Sequence, residues 1–300
     1  MRHDEPTKAS RLRDILQRRT ISIPGAFNAL IAVQIERAGY EAVYVSGAAL
    51  SACRGIPDIG LLTLAEVADE AGRIAGAVSI PTIVDADTGY GGPASVGEAV
   101  HAFEGAGLAG MQLEDQESMK KCGHLPGKRL VPVAEMVSKL EAALEAKNDQ
   151  DFMIIARTDA RAVEGFDGAV RRGITYAEAG ADALFPEALE SAEEFHLFAR
   201  HMQEAGITVP LVANMTEFGK TPLLSSAEFA SMGYRGVLFP VTALRTALRA
   251  VEELLGELKL FGTQRDWLHH MMTRQELYAL LRYPESVESP AGRTYEHGNE

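Results

Sequence analysis

Residues 104–115 read EGAGLAGMQLED, and the same phrase returns as ERAGYEAVYVS (36–46), AEAGADALFPE (177–187) and ASMGYRGVLFP (230–240). In each, a stretch of helical composition ends at a glycine (Gly39, Gly107, Gly180, Gly233) and a short apolar run follows. Glycine accepts the left-handed conformation that closes a helix, so each phrase predicts a helix, a short turn and a strand. Working outward, such runs recur at Ile21–Gly25, Ala42–Ser46, Thr82–Asp87, Gly110–Asp115, Met153–Asp159, Ala183–Glu187, Val209–Thr216 and Gly236–Pro240. Each is short and rich in Val, Ile, Leu or Phe, as a buried parallel strand should be. The stretches between them can hold crossover helices. Eight such units predict an α/β fold closed as a (β/α)8 TIM-type barrel. An open doubly wound sheet is the alternative, but no glycine-rich dinucleotide fingerprint follows the first run.

The chain has 300 residues and is 46% hydrophobic, which suits one barrel domain over residues 1–300. With 29 Lys+Arg against 42 Asp+Glu, its net charge is −13. Such a surface repels nucleic acid and anionic membranes, so neither is expected as a partner. No apolar run approaches the roughly 18 residues of a membrane span. The N-terminal segment mixes Asp4, Glu5 and Asp14 with basic residues and has no apolar core, so it reads as no signal peptide. Two cysteines, Cys53 and Cys122, cannot form a disulfide framework. A cytoplasmic enzyme is the expectation. Beyond the eighth strand, a helix is predicted over about 242–258. GTQ then breaks it, and a further amphipathic helix follows in RDWLHHMMTRQELYALLRY. Residues 259–300 thus read as a helical extension and tail. Its Trp267, Leu268, Met271, Met272, Leu277 and Leu280 need a surface to cover them, either the chain's own barrel or a partner subunit. The closing ESPAGRTYEHGNE reads as a mobile tail.

Polar residues close many of the apolar runs: Ser46, Asp85 and Asp87, Glu114 and Asp115, Arg157 and Asp159, Glu187, Asn214 and Thr216. In a barrel these ends converge on the catalytic face. Taken singly, Asp115 and Asp159 fit helix caps as well as a site. Asp85 and Asp87 stand two apart, where strand periodicity points both carboxylates to one side. Like charges held that close call for a cation or a proton, and oxygen ligands suit Mg2+ or Mn2+. Glu114 is a further candidate ligand. MKKCGHLPGKRL (119–130) gathers Lys120, Lys121, His124, Lys128 and Arg129 on a glycine-hinged loop in an acidic protein. Such a loop suits a lid over an anionic substrate. Cys122 lies among cations that favour a reactive thiolate, whereas Cys53 reads as an inert buried hydrophobe.

KKCGH after the fourth strand, with DADTGYG before it, resembles the isocitrate lyase/phosphoenolpyruvate mutase superfamily. VYVSG, IPDIG, QLEDQ, IIARTDA, LFPEA, NMTEFGKTP and TRQELY extend that resemblance along nearly the whole chain, toward its short bacterial branch. The resemblance implies a barrel whose last helices are swapped between subunits of a homotetramer. It also implies Mg2+ held directly by Asp85 and Asp87, with Asp58 and Glu114 acting through water. Substrate contacts would fall to Ser46, Gly47, Ala48, Cys122, Gly123, Arg157, Glu187, Asn214, Met215, Thr216, Arg245 and Arg274. The implied reaction is carbon–carbon cleavage of a small polycarboxylate. With 2-methylisocitrate it would give pyruvate and succinate. Lys120, His124 and Arg157 would neutralise the developing carbanion, with Glu187 also in the catalytic set. Cys122 would protonate the carbanion, and no single residue is assigned as the base. Cleavage of 2,3-dimethylmalate or isocitrate, phosphonomutase chemistry, and a non-catalytic dicarboxylate-binding role are the alternatives. Where the family pattern has glycines, this chain has Gly47-Ala48-Ala49, so a methyl group at Ala48 could narrow the pocket.

Overall fold

The computed structural model describes residues 6–118, 120, 121, 123 and 125–283. Helices and strands alternate as α1 (Lys8–Arg18), β1 (Ile21–Pro24), α2 (Ala29–Arg37), β2 (Val43–Val45), α3 (Gly47–Cys53), α4 (Leu64–Gly76), β3 (Thr82–Asp85), α5 (Pro93–Gly105) and β4 (Gly110–Glu114). They continue as α6 (Val133–Glu145), β5 (Met153–Thr158), α7 (Arg161–Glu178), β6 (Ala183–Pro186), α8 (Ala192–Glu204), β7 (Val212–Asn214), α9 (Ser226–Ser231), β8 (Gly236–Phe239), α10 (Thr242–Phe261) and α11 (Arg274–Leu280). Each of the eight apolar runs contains a strand. The four glycines that open the repeated phrase have φ of 87°, 79°, 98° and 92°, the left-handed values that a helix stop needs.

All strand pairs are parallel. One sheet has the order β1-β8-β7 and the other β2-β3-β4-β5-β6. Single parallel bridges join them, Gly25 to Tyr44 and Leu184 to Leu211. Strand alternation sorts the side chains into two apolar sets. Ile21, Ile23, Tyr44, Ile83, Ile155, Phe185, Val212 and Leu238 pack together with Leu12 and Leu16 of α1. The opposite faces, including Val43, Val45, Met111, Leu113, Ile154 and Val237, pack with the other helices. The same period aims one face of each strand end toward a shared space, which is where the site forms.

The chain divides into two compact units, Met1–Leu248 and Arg249–Glu300. The division falls within α10, ahead of the extension expected from residue 259. In the second unit, the helix expected to run unbroken from Arg265 is split. A short 3-10 helix covers Arg265–His270, and α11 begins afresh after Thr273. Thr273 and Glu276 form a reciprocal capping box (Thr273 N to Glu276 Oε2 2.7 Å, Glu276 N to Thr273 Oγ1 3.2 Å), a strong local start signal that breaks the longer helix. Leu268, Met271 and Met272 are exposed, and Leu280 is buried. The tail from residue 284 lies outside the described residues. No described helix is long and apolar enough to cross a membrane.

Gly25 lies where β1, β2 and β8 meet. Its amide donates to the Phe239 carbonyl at 2.9 Å, and a β-carbon there would run into the backbone of Pro240. Backbone cannot give way as a side-chain tip can. Gly25→Ala should therefore cost about 1–3 kcal/mol of stability, measured by urea unfolding. A loss below about 0.5 kcal/mol would mean that the ends of β1 and β8 are not tightly fitted here.

Candidate active site

The acidic half of the site starts at the end of β3. Asp85 closes the strand and its Oδ1 accepts a hydrogen bond from the Asp87 amide at 3.1 Å. Strand periodicity does not reach Asp87, which has φ 47°. The two carboxylates converge because the chain turns, not because the strand continues. They meet beside Gly47, whose amide donates to Asp85 Oδ2 at 3.2 Å. A β-carbon at Gly47 would stand 3.1 Å from Asp87 Oδ1 and 3.2 Å from Asp85 Oδ2, so glycine lets the helix start approach both acids. Lys120 reaches in from the loop after β4. Its ammonium lies 2.6 Å from Asp58 Oδ1 and 2.8 Å from Asp87 Oδ1.

Burial, with Asp85 beside it, pushes the Asp87 carboxyl up to about 6, against the pull of Lys120. Burial also raises Glu114 well above the usual carboxylate range, although Arg157 and Lys120 oppose it. For Lys120, burial pulls downward, but Asp87, Asp85, Glu114 and Asp58 outweigh it and hold the ammonium protonated. The cluster therefore demands positive charge. Asp58 Oδ1 and Asp87 Oδ1 are buried against the Lys120 ammonium, and Glu114 Oε2 is buried 3.4 Å from Arg157 without a hydrogen bond. Oxygens in that condition fit a divalent cation. Among the described residues, no three metal-binding side chains close into a complete cage. Two direct carboxylates, with water and substrate completing the shell, are the pattern a small hard cation tolerates.

The cationic half centres on Arg157 at the end of β5. Its Nε and Nη2 donate to Asp159 at 2.9 and 3.2 Å, and it stands 3.4 Å from Glu114 and 3.7 Å from Glu187. The guanidinium also lies 5.3 Å from the Phe185 ring centroid. Asn214 donates to both Glu187 oxygens, at 3.4 and 3.3 Å. Asp115 caps no helix. It accepts from the Thr158 hydroxyl at 2.8 Å, the Asp159 amide at 2.8 Å, Tyr176 at 2.9 Å and Arg172 at 3.2 Å.

The lysine-rich loop is drawn in at both ends. Gln116 pairs with Leu130 across its base, and the Gln116 side chain holds the Lys121 backbone through bonds of 2.9 and 3.0 Å. Lys120, Gly123 and Lys128 are buried. Cys122 and His124 lie outside the described residues.

A cavity of about 100 Å³ joins the two halves. Its walls include Ser46, Ala48, Asp58, Asp85, Lys120, Gly123, Arg157, Glu187, Asn214, Thr216 and Arg245. Ser46 precedes α3 without capping it, which leaves its hydroxyl for the cavity. Met215 is placed elsewhere. Its side chain is buried in the apolar core, where its sulfur accepts from the Leu224 amide at 3.3 Å. Arg274 belongs to the second unit. Cys53 is exposed, not buried, and desolvation together with Glu70 raises its thiol above the usual range. Sequence reading missed Tyr44 and Phe185 in the cavity wall. Each stands two residues before a recognised site residue, Ser46 or Glu187, so the strand period was the available signal. A larger groove of about 590 Å³ lies at the other ends of the strands, lined by Leu16, Arg200, Leu211 and Arg235. It lacks the convergent acids and bases of the smaller one, which is the better candidate.

The family described as phosphoenolpyruvate phosphomutase matches residues 12–259. The chain belongs to that family. It is 47% identical over 270 residues to the 2-methylisocitrate lyase of Bacillus subtilis (strain 168), covering 90% of this chain and 86% of that protein. The crystal structure of 2,3-dimethylmalate lyase, described as a PEP mutase/isocitrate lyase superfamily member, superposes with a TM-score of 0.84. Its sequence is 36% identical, with 91% of each chain covered. A phosphonopyruvate hydrolase solved with oxalate and Mg2+ superposes with a TM-score of 0.82 at 32% identity, covering 92% of this chain and 95% of that one.

The Asp87 shift sets a pH dependence for this family member. Its value of about 6 lies above the ordinary 3.8, so Asp87 favours the metal-free fold at low pH and loses that contribution as pH rises through about 6. A cation must displace the proton. Mn2+ affinity, followed by electron paramagnetic resonance, should be flat above pH 6 and fall about tenfold per unit below it. An affinity unchanged between pH 5 and 7 would mean that no proton on Asp87 competes with the ion in this range.

Proposed function

We propose that this chain is a Mg2+-dependent carbon–carbon lyase that acts in the cytoplasm and cleaves 2-methylisocitrate to pyruvate and succinate. One observation carries the reading: a single cavity sets buried carboxylates that demand a cation beside a buried guanidinium suited to substrate carboxylates. The named activity of the 47% identical relative supplies the substrate. We further propose that the eight parallel strands close into a (β/α)8 barrel, with the site at the C-terminal ends of its strands. The bridges at both seams and the two-sided sorting of apolar side chains support closure. Exposed Leu268, Met271 and Met272 support helices exchanged between subunits of a homotetramer, with Arg274 delivered to a neighbouring site.

Asp85 and Asp87 would hold Mg2+, with Asp58 and Glu114 around it. When bound, the ion lowers the pKa of the substrate 2-hydroxyl and favours its deprotonation. Arg157, fixed by Asp159 and Glu187, meets the carboxylate on which charge develops as the C2–C3 bond breaks. Lys120 carries a further positive charge to the same cavity. Gly47 and Ser46 offer an amide and a hydroxyl at the opposite wall. Cys122, assigned from KKCGH, protonates the succinate carbanion as general acid. Cleavage of 2,3-dimethylmalate is the second reading. The Ala48 methyl in the cavity wall favours it by taking space from the larger tricarboxylate.

The test is release of the 2-oxo acid, pyruvate from 2-methylisocitrate or 2,3-dimethylmalate and glyoxylate from isocitrate, each with Mg2+ and with chelator. Metal-dependent cleavage of 2-methylisocitrate is expected. Preference for dimethylmalate would move the substrate, and no cleavage of any of the three would end the lyase reading. Cys122→Ser should lower turnover by roughly 10²–10⁴-fold with the fold intact. Near-parental turnover would remove the thiol from the mechanism.

A further inference from the structure

Lys128 has no part in the chemistry above, yet its placement is costly. It follows Gly127 (φ 77°) on a loop whose neighbours Leu125, Pro126, Gly127 and Arg129 are all exposed. Water is the ordinary destination for such an ammonium. Instead its side chain is 1% exposed, against a fully buried Asp159 carboxylate 2.7 Å away. Burying that charge costs several kcal/mol unless partners offset it. Two partners do: Asp159 and the Gly123 carbonyl, to which the ammonium also donates.

Asp159 is held between two cations. Lys128 reaches Oδ1 from the loop, while Arg157 reaches Oδ2 through Nε at 2.9 Å and Oδ1 through Nη2 at 3.2 Å from the strand. The Asp159 backbone is fixed in turn, since its amide donates to Asp115, which Thr158, Arg172 and Tyr176 immobilise. At the other end of the bridge, Gly123 is pressed against the cavity. A β-carbon there would stand 2.5 Å from Glu187 Cγ and 2.7 Å from Arg157 Nη2. One ammonium therefore ties a loop carbonyl to the carboxylate that aims the guanidinium.

We infer that Lys128 is a positioning residue: through Asp159 it locks Gly123 of the loop onto Arg157, so that loop backbone and guanidinium meet the substrate as one rigid unit. Its effect on turnover rests on the lyase reading, but the lock itself does not. Lys128 touches neither Asp85 nor Asp87, so metal affinity is not its concern. Its loss should loosen the loop and slow the chemical step while the metal site stays intact.

The experiment compares Lys128→Met and Lys128→Arg with the parent in three measurements: trypsin cleavage after Lys121, kcat and KM, and Mn2+ affinity. For Lys128→Met, cleavage after Lys121 should accelerate about fivefold or more relative to global digestion. Its kcat should fall about tenfold or more, and saturating substrate should not restore it. Mn2+ affinity should stay within about twofold of the parent. Lys128→Arg, which keeps the charge, should recover part of both losses. A purely structural lysine would lower Tm without a selective change at Lys121 or in kcat, and that outcome overturns the inference. If Lys128→Met does not fold, Lys128→Gln decides. Its amide can still donate to Gly123 but leaves Asp159 with one cation, so parental nicking and kcat would again overturn the proposal. If the protein cleaved none of the acids offered, the tryptic readout would still test the lock.

Discussion

Buried charge governs this site. Asp58 and Asp85 line one side of a small cavity, and Asp87 and Glu114, whose carboxyls burial raises, stand close by. Like charges in such a place must be neutralised by a proton, a fixed cation or a metal. The chain supplies fixed cations in Lys120 and Arg157, each held protonated by the acids around it. The loop after β4 folds inward through Lys120, and the Arg157 guanidinium takes its orientation from Asp159. The glycine at position 47 is what lets a helix start close on two carboxylates.

The fold serves this arrangement by repetition. Strand ends deliver site residues to a common space, and most of the helices between them pack on the strands' other faces. The reacting groups are set by strand ends and by the first residues beyond them, which a packed core holds still. Two positions near the strand ends show the cost of close packing. Asp87 takes a left-handed conformation, and Gly25 admits no side chain. Gly25 lies where two backbones meet, and the turn at Asp87 brings its carboxylate beside Asp85.

Much of this was legible in the chain itself. Strand positions were visible because buried parallel strands are short apolar runs, and the four glycine stops marked the turns before them. The Asp85–Asp87 pair was found from its spacing, although the turn at Asp87 was not, since a period-2 reading has no term for a left-handed residue. Asp115 and Asp159 were ambiguous because a carboxylate after a strand can cap a helix or hold a cation. Only the placement of Arg172, Tyr176 and Lys128, drawn from distant parts of the chain, separates the two roles. Met215 was read toward the pocket from the resemblance alone, and its side chain packs in the core. The break at Thr273 was present in the sequence as Thr-x-x-Glu but was outweighed by the longer apolar pattern.

The account turns on the acid cluster being a metal site. The most direct measurement is anomalous scattering from crystals of the protein with Mn2+ and succinate plus pyruvate. A single strong peak against Asp85 and Asp87 is the predicted result. A peak elsewhere, or none at saturating Mn2+, would contradict it.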